Sequence, residues 1–221
     1  MEVPMKTLFI HARSTIPVEL PLEDIRQIPQ PVGVFTSIQF LDRINEFAKE
    51  VKGIPAGQVL GCKTEAVDRI AGDVAAFLYI GSGRFHPIGA AMSTGKPVFC
   101  FDPSTKVLSQ IEDVEIEAQK NRQRGAVMRF LNSTSVGVLV STKPGQNKMD
   151  QALAFKRACK DKKVAIFAFD TLDRAYLDNF TFIESWVNTS CPRLPETLGA
   201  GIVNLKDVLD ACPRYNDSSE S

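Results

Sequence analysis

Pro31-Val32-Gly33-Val34-Phe35-Thr36-Ser37 has a counterpart in Ser135-Val136-Gly137-Val138-Leu139-Val140-Ser141. Each is a run rich in β-branched residues that ends on hydroxyl side chains, the pattern of a buried strand running out into a loop. The segments after the two runs are also alike. Leu41, Ile44, Phe47 and Ala48 recur at helical spacing within Phe40 to Lys52, as do Leu153, Phe155 and Ala158 within Lys148 to Asp161. Then come a second strand (Gln58-Val59-Leu60; Val164-Ala165-Ile166-Phe167), a short helix (Glu65 to Ile70; Leu172 to Asp178) and a third strand (Ala75 to Ile80; Phe182 to Val187). Strands alternating with helices predict βαβ units and parallel pairing. The expected fold class is therefore α/β, with two tandem similar domains from duplication, each a small parallel sheet flanked by helices.

The first domain is expected over residues 1–115. It adds a helix from Pro87 to Thr94, a fourth strand from Pro97 to Phe101, and a strand before the repeat at Thr7 to His11. The second is expected over 116–221 and ends in a short polar tail, Tyr215 to Ser221. A charged helical connector, about Val107 to Leu131, carries Arg122, Arg124 and Arg129.

The bulk numbers fit two such domains. The chain has 221 residues, 44% hydrophobic and 24% charged, which is ordinary for a globular protein. The 26 basic and 26 acidic residues cancel, and no basic stripe points to nucleic acid. No apolar run is long enough to span a bilayer. Met1 to Lys6 lacks the basic and apolar regions of a signal peptide, so a cytoplasmic location is expected. Cys62, Cys100, Cys159, Cys191 and Cys212 are odd in number and widely spaced, which argues against a disulfide framework.

In open parallel sheets, ligands bind beyond the carboxyl ends of the strands. Five loops are expected there: Thr36-Ser37, Gly61-Cys62, Gly81 to Pro87, Ser141 to Gln146, and Asn188 to Arg193. Cys62 and Cys191 suggest metal or cluster chemistry, since thiolates hold iron–sulfur clusters and structural zinc. The alternative is a small buried hydrophobe, as Cys159 on its amphipathic helix reads. Cys100 lies within a strand, facing either sheet edge or core.

Gly81-Ser82-Gly83-Arg84 could bring backbone N–H groups and a guanidinium to an anion, or simply make a tight turn. It falls short of a dinucleotide fingerprint. His86 could donate to a ligand carboxylate, or cap a helix starting at Pro87. Ser141, Thr142, Lys143, Gly145 and Gln146 offer the hydroxyls, cation and glycine of an anion-binding turn, without Walker A spacing; a polar strand-to-helix loop is the other reading. No catalytic residue is identified.

Five strings occur in one order: Gly57-Gln58-Val59-Leu60-Gly61-Cys62, Tyr79-Ile80-Gly81-Ser82-Gly83-Arg84-Phe85-His86-Pro87, Gly95-Lys96-Pro97-Val98, Val140-Ser141-Thr142-Lys143-Pro144-Gly145-Gln146, and Val187-Asn188-Thr189-Ser190-Cys191-Pro192-Arg193. Together they resemble the archaeal diphthamide synthase family, noncanonical radical enzymes of 2-(3-amino-3-carboxypropyl)histidine synthesis. The resemblance implies three similar α/β domains, each giving one cysteine to a [4Fe-4S] cluster, with S-adenosylmethionine on the unique iron. It implies transfer of a 3-amino-3-carboxypropyl group to a histidine of translation elongation factor 2.

By this resemblance Cys62 and Cys191 match the second and third cluster cysteines. Gly81, Ser82, Gly83, Arg84, His86, Ser141, Thr142, Lys143, Gly145 and Gln146 would orient the cofactor. The two repeats match the family's second and third domains, and no counterpart of the first is seen. A homo-oligomer or partner subunit would then supply the missing domain or cysteine, unless Cys100 or Cys212 does. A noncatalytic subunit, or a related enzyme with another acceptor, is the alternative the resemblance leaves.

Overall fold

Both glycine-bearing runs are central strands. The computed structural model describes residues 8, 10–60 and 63–216. The chain divides into two compact units, Met1–Glu117 and Ala118–Ser221.

In the first unit, α1 (Leu22–Ile25) precedes β1 (Val32–Thr36). A 3-10 segment, Ile38–Arg43, runs into α2 (Ile44–Glu50), followed by β2 (Ile54–Gln58), α3 (Glu65–Asp68), β3 (Ala76–Ile80), α4 (Phe85–Thr94), β4 (Val98–Asp102), β5 (Val107–Gln110) and the start of α5 (Asp113–Asn132). The strand order is β2-β1-β3-β4-β5. The first four strands are parallel, and β5 runs antiparallel to β4.

The second unit continues with β6 (Ser135–Ser141), α6 (Met149–Ala158), β7 (Lys163–Phe169), α7 (Arg174–Asp178), β8 (Ser185–Asn188), α8 (Leu194–Leu198), β9 (Ile202–Asn204) and α9 (Leu205–Ala211). Its order is β7-β6-β8-β9, all parallel. With β6 to β9 standing for β1 to β4, the two orders are the same.

The duplication reaches individual pairs. Gly33 lies opposite Phe77 across β1 and β3, and Gly137 opposite Trp186 across β6 and β8. A Cβ on Gly33 would stand 2.6 Å from the Phe77 ring, and one on Gly137 2.3 Å from the Trp186 ring. In each unit a missing side chain on the first strand makes room for an aromatic ring on the third. Both sheets are covered on two faces, so β1 and β3 are buried throughout. On one face of the first sheet Val32, Val34 and Leu78 pack against Phe47 and Ala48 of α2 and against Leu20, Ile25 and Ile28. The corresponding face of the second packs Val136, Val138 and Val187 against Phe155 of α6 and Val208 of α9.

The structure corrects several expectations. The second strand of the first unit is Ile54–Gln58, not Gln58 to Leu60. Pro55 and Gly57 (φ 121°) disguise it; the register shifts beside them, and a sheet edge tolerates both residues. The connector is not one helix from Val107, because β5 occupies its first residues. The helix expected from Pro87 begins at Phe85. The described residues of the expected strand at Thr7 to His11, namely Leu8, Ile10 and His11, are not in a strand; Leu8 and Ile10 are exposed. The sequence reading had not identified α1, α8, β9 or α9.

Candidate functional site

The strand order reverses between β1 and β3, and again between β6 and β8. Crevices open there, beyond the carboxyl ends of the strands. Each switch point is tied across by a threonine. Thr36 at the end of β1 donates through Oγ1 to the Ile80 carbonyl at 2.6 Å. Thr189, just past β8, donates through Oγ1 (2.8 Å) and N–H (3.1 Å) to the Leu139 carbonyl of β6.

In the first unit the loop after β3 begins at Gly81, whose N–H donates to the Phe101 carbonyl. Gly83 has φ 79°, which favours glycine. Ser82 and Gly83 are exposed, and Arg84 and His86 half-buried. Arg84 was expected to face a ligand anion, but its donors are engaged within the unit. Its Nε and Nη2 donate to the Glu115 carboxylate at 2.6 and 2.5 Å, Nη1 to Ser109 Oγ at 2.9 Å, and Nη2 also to the Gln110 carbonyl at 2.5 Å. This forked pair holds the Glu115 carboxyl below its ordinary range and the guanidinium firmly charged. Arg84 therefore ties the glycine loop to β5 and α5. Nor is His86 the cap of α4: Arg84 occupies that position, and the His86 ring lies in the first turn between those of Tyr79 and Phe85, with centroids 6.1 and 5.6 Å away.

In the second unit the loop after β6 is exposed from Thr142 through Lys148. Three of its N–H groups have internal partners. Thr142 N–H donates to the Phe169 carbonyl, Lys143 N–H to Ser141 Oγ, and Gln146 N–H to the Lys143 carbonyl. Gly145 turns the chain at φ 76°. The loop presents the exposed side chains of Lys143 and Gln146 outward.

The Asn188 to Arg193 loop is more tightly built. Asn188, 2% exposed at the end of β8, donates through Nδ2 to the Cys191 carbonyl (2.9 Å) and to Asn204 Oδ1 (2.7 Å). Its Oδ1 accepts from Ser190 N–H (3.0 Å) and Ser190 Oγ (2.8 Å). Asn204 Nδ2 donates to the Pro192 carbonyl at 3.3 Å. The sequence reading passed over Asn188; an Asn two residues before a serine is a side-chain turn signal that could have pointed to it.

The cysteines separate clearly. Cys191 is half-buried on this loop. Cys62 lies outside the described residues; on either side of it, Leu60 and Lys63 form an antiparallel bridge with Lys63 N–H donating to the Leu60 carbonyl. Cys100, in β4, packs in the first core, and burial pushes its thiol up to about 12. Cys159 is likewise buried and pushed up to about 12. Both thiols pack within hydrophobic cores. Cys212 caps the far end of α9 and packs partly against the second core. As α9 starts directly after β9 and runs back from the carboxyl edge, Cys212 is at the opposite end of that helix from the Cys191 loop. Among the described residues, no group of three or more His, Cys, Asp or Glu side chains could hold a metal ion. No described helix is long and apolar enough to cross a membrane.

A family model described as "Putative diphthamide synthesis protein" matches residues 2–197. The chain belongs to this family. Among its relatives, 2-(3-amino-3-carboxypropyl)histidine synthase of Pyrococcus horikoshii is 28% identical, over 88% of this chain and 60% of its own length. The synthase subunit 1 of Encephalitozoon cuniculi is 25% identical, over 87% of this chain and 59% of its own length. The crystal structure of Dph2 from Pyrococcus horikoshii with a 4Fe-4S cluster shares the fold, with a TM-score of 0.72 at 24% identity; the match covers 90% of this chain and 61% of that one. The chain thus spans about 60% of the length of these diphthamide synthesis relatives.

Proposed function

We propose that this chain acts in the first step of diphthamide formation, as part of a 3-amino-3-carboxypropyl transferase. In this reading Cys62 and Cys191 hold a [4Fe-4S] cluster, completed by a cysteine from a second copy or a partner subunit, and a histidine of translation elongation factor 2 is the acceptor. The cluster, when bound, supplies the electron that cleaves a C–S bond of S-adenosylmethionine.

The single observation that carries the reading is the setting of Cys191. It is a half-buried thiol on a loop held by the Asn188 side chain at the switch point of the second sheet. Buried Cys100 and Cys159 have no such access. The donor set suits an iron–sulfur group, since accessible thiolates are its usual ligands. The chain's own residues bind and orient. Lys143, exposed beyond β6, can pair with the carboxylate of the methionine moiety. The glycines at 81 and 83 keep the β3 loop slim, and Arg84 positions that loop instead of contacting the ligand. A cytoplasmic location fits elongation factor 2 as substrate.

The test is anaerobic incubation of the chain, with candidate partner subunits, with S-adenosylmethionine, reductant and unmodified elongation factor 2. Mass spectrometry should find one added aminocarboxypropyl group on a histidine peptide. S-adenosylmethionine consumed without that adduct would point to another acceptor; no consumption in any combination would remove the reading.

A further inference from the structure

The first and third strands of the two units pair in the same register. Gly33 faces Phe77 as Gly137 faces Trp186; two residues on, Phe35 faces Tyr79 as Leu139 faces Asn188. Asn188 therefore occupies the strand position that Tyr79 holds in the first unit. Both side chains donate to the carbonyl three residues ahead: Tyr79 Oη to Ser82 at 3.5 Å, Asn188 Nδ2 to Cys191 at 2.9 Å. The duplicated fold uses one position to shape the loop after the third strand, and only the second copy places a cysteine at the held residue.

We infer that Asn188, braced by Asn204, is a positioning residue that sets the Cys191 loop for ligation; this rests on the reading of Cys191 as a cluster ligand. The chemistry needs an amide. At 2% exposure Asn188 satisfies two acceptors with its two amide hydrogens (the Cys191 carbonyl and Asn204 Oδ1) and takes two donors on its oxygen (Ser190 N–H and Oγ). The partners fix which end of the amide is which, because a carbonyl can only accept and an N–H only donate. Aspartate keeps the acceptor side and loses both donors; leucine loses everything and leaves buried groups unpaired. Asn204 is itself held on its donor side, by the Pro192 carbonyl and the Asp207 carboxylate, which leaves its oxygen free to take the Asn188 hydrogen. Ligand-orienting partners of this kind set the affinity and potential of a metal group.

The test begins on the metal-free chain, without a variant. Ser190 N–H, held by Asn188 Oδ1, should exchange with deuterium at least about 100-fold more slowly than in an unstructured peptide. Exchange at the peptide rate would overturn the inference. Iodoacetamide alkylation of Cys191, read by peptide mass spectrometry, should then accelerate about tenfold in Asn188→Asp and Asn188→Leu. After anaerobic reconstitution of the full assembly, the Asn188 variants should shift the electron resonance spectrum or reduction potential of the cluster. Native alkylation rates and native spectra in both Asn188 variants would overturn the inference. Cys191→Ser separates the two claims. An unchanged cluster signal in that variant removes the ligation reading and with it this role, whereas loss of the signal alongside unperturbed Asn188 variants removes the role alone.

Discussion

The two units share strand order and the glycine–aromatic pairing, yet they hold their carboxyl edges in different ways. In the first, a charge does it: Arg84 reaches from the β3 loop to Glu115 on α5, with Ser109 and the Gln110 carbonyl as further acceptors. In the second, neutral amides do it: Asn188 and Asn204 clamp the Cys191 loop. An ion pair responds to pH and salt, while an amide pair does not. The difference places a charge-held loop in the unit whose glycine loop is exposed, and an amide-held loop, with Asn204 also bonded to the Asp207 carboxylate, around the half-buried thiol. A duplicated scaffold thus keeps its core and diverges at the edges where ligands bind.

The shared core is the part whose disruption should cost most. Gly137→Ala should destabilise by about 3 kcal/mol, because its Cβ would overlap a buried indole, and Gly33→Ala by somewhat less. Urea midpoints would measure both, and Trp186→Phe should recover part of the Gly137→Ala loss. Negligible effects in both would remove the packing role of the two pairs, and a loss in one alone would break their equivalence. Next come the threonine ties. Thr36→Val and Thr189→Val should each cost about 1 kcal/mol by leaving a buried carbonyl short of a donor.

The edges themselves should separate by pH. Glu115→Gln should cost no more than about 1 kcal/mol near neutrality, since the pair is partly exposed and screened. Arg84 holds the Glu115 carboxyl low, so its contribution is complete above the ordinary carboxylate value and is lost as pH falls through the lowered one. Thermal melts of this variant and the native chain should therefore converge as the pH drops below about 4. Asn188→Leu, which removes a neutral group and adds no titratable one, should show no such convergence. The smallest effect belongs to Tyr79→Phe, under about 0.5 kcal/mol, because the bond to Ser82 is at the limit of length.

Much of the scaffold was legible in the residues. The runs at Val32 and Val136 announced both central strands, and their alternation with amphipathic stretches announced parallel pairing. The edges read less well, for physical reasons. Ile54–Gln58 carries Pro55 and Gly57, which only an edge strand accepts, so the strand was placed too far along the chain. Three-residue β9 and four-residue β5 are too short to show a period. The Cys191 loop was legible as a candidate from its place after β8. The fate of Arg84 was not: Glu115 is distant in sequence, and only the folding back of β5 brings it within reach.

In the proposed reading Cys62 and Cys191 bind the cluster, and the buried Cys100 and Cys159 do not. Iron content and the electron resonance spectrum after anaerobic reconstitution test it most directly, with Cys62→Ser, Cys191→Ser, Cys100→Ser and Cys159→Ser compared in the assembly the native chain forms. About four irons per cluster and a reduced [4Fe-4S] signal are expected in the native, Cys100 and Cys159 forms, with both lost in the Cys62 and Cys191 forms. A full signal in Cys191→Ser, or its loss in a folded Cys100→Ser protein, would contradict it.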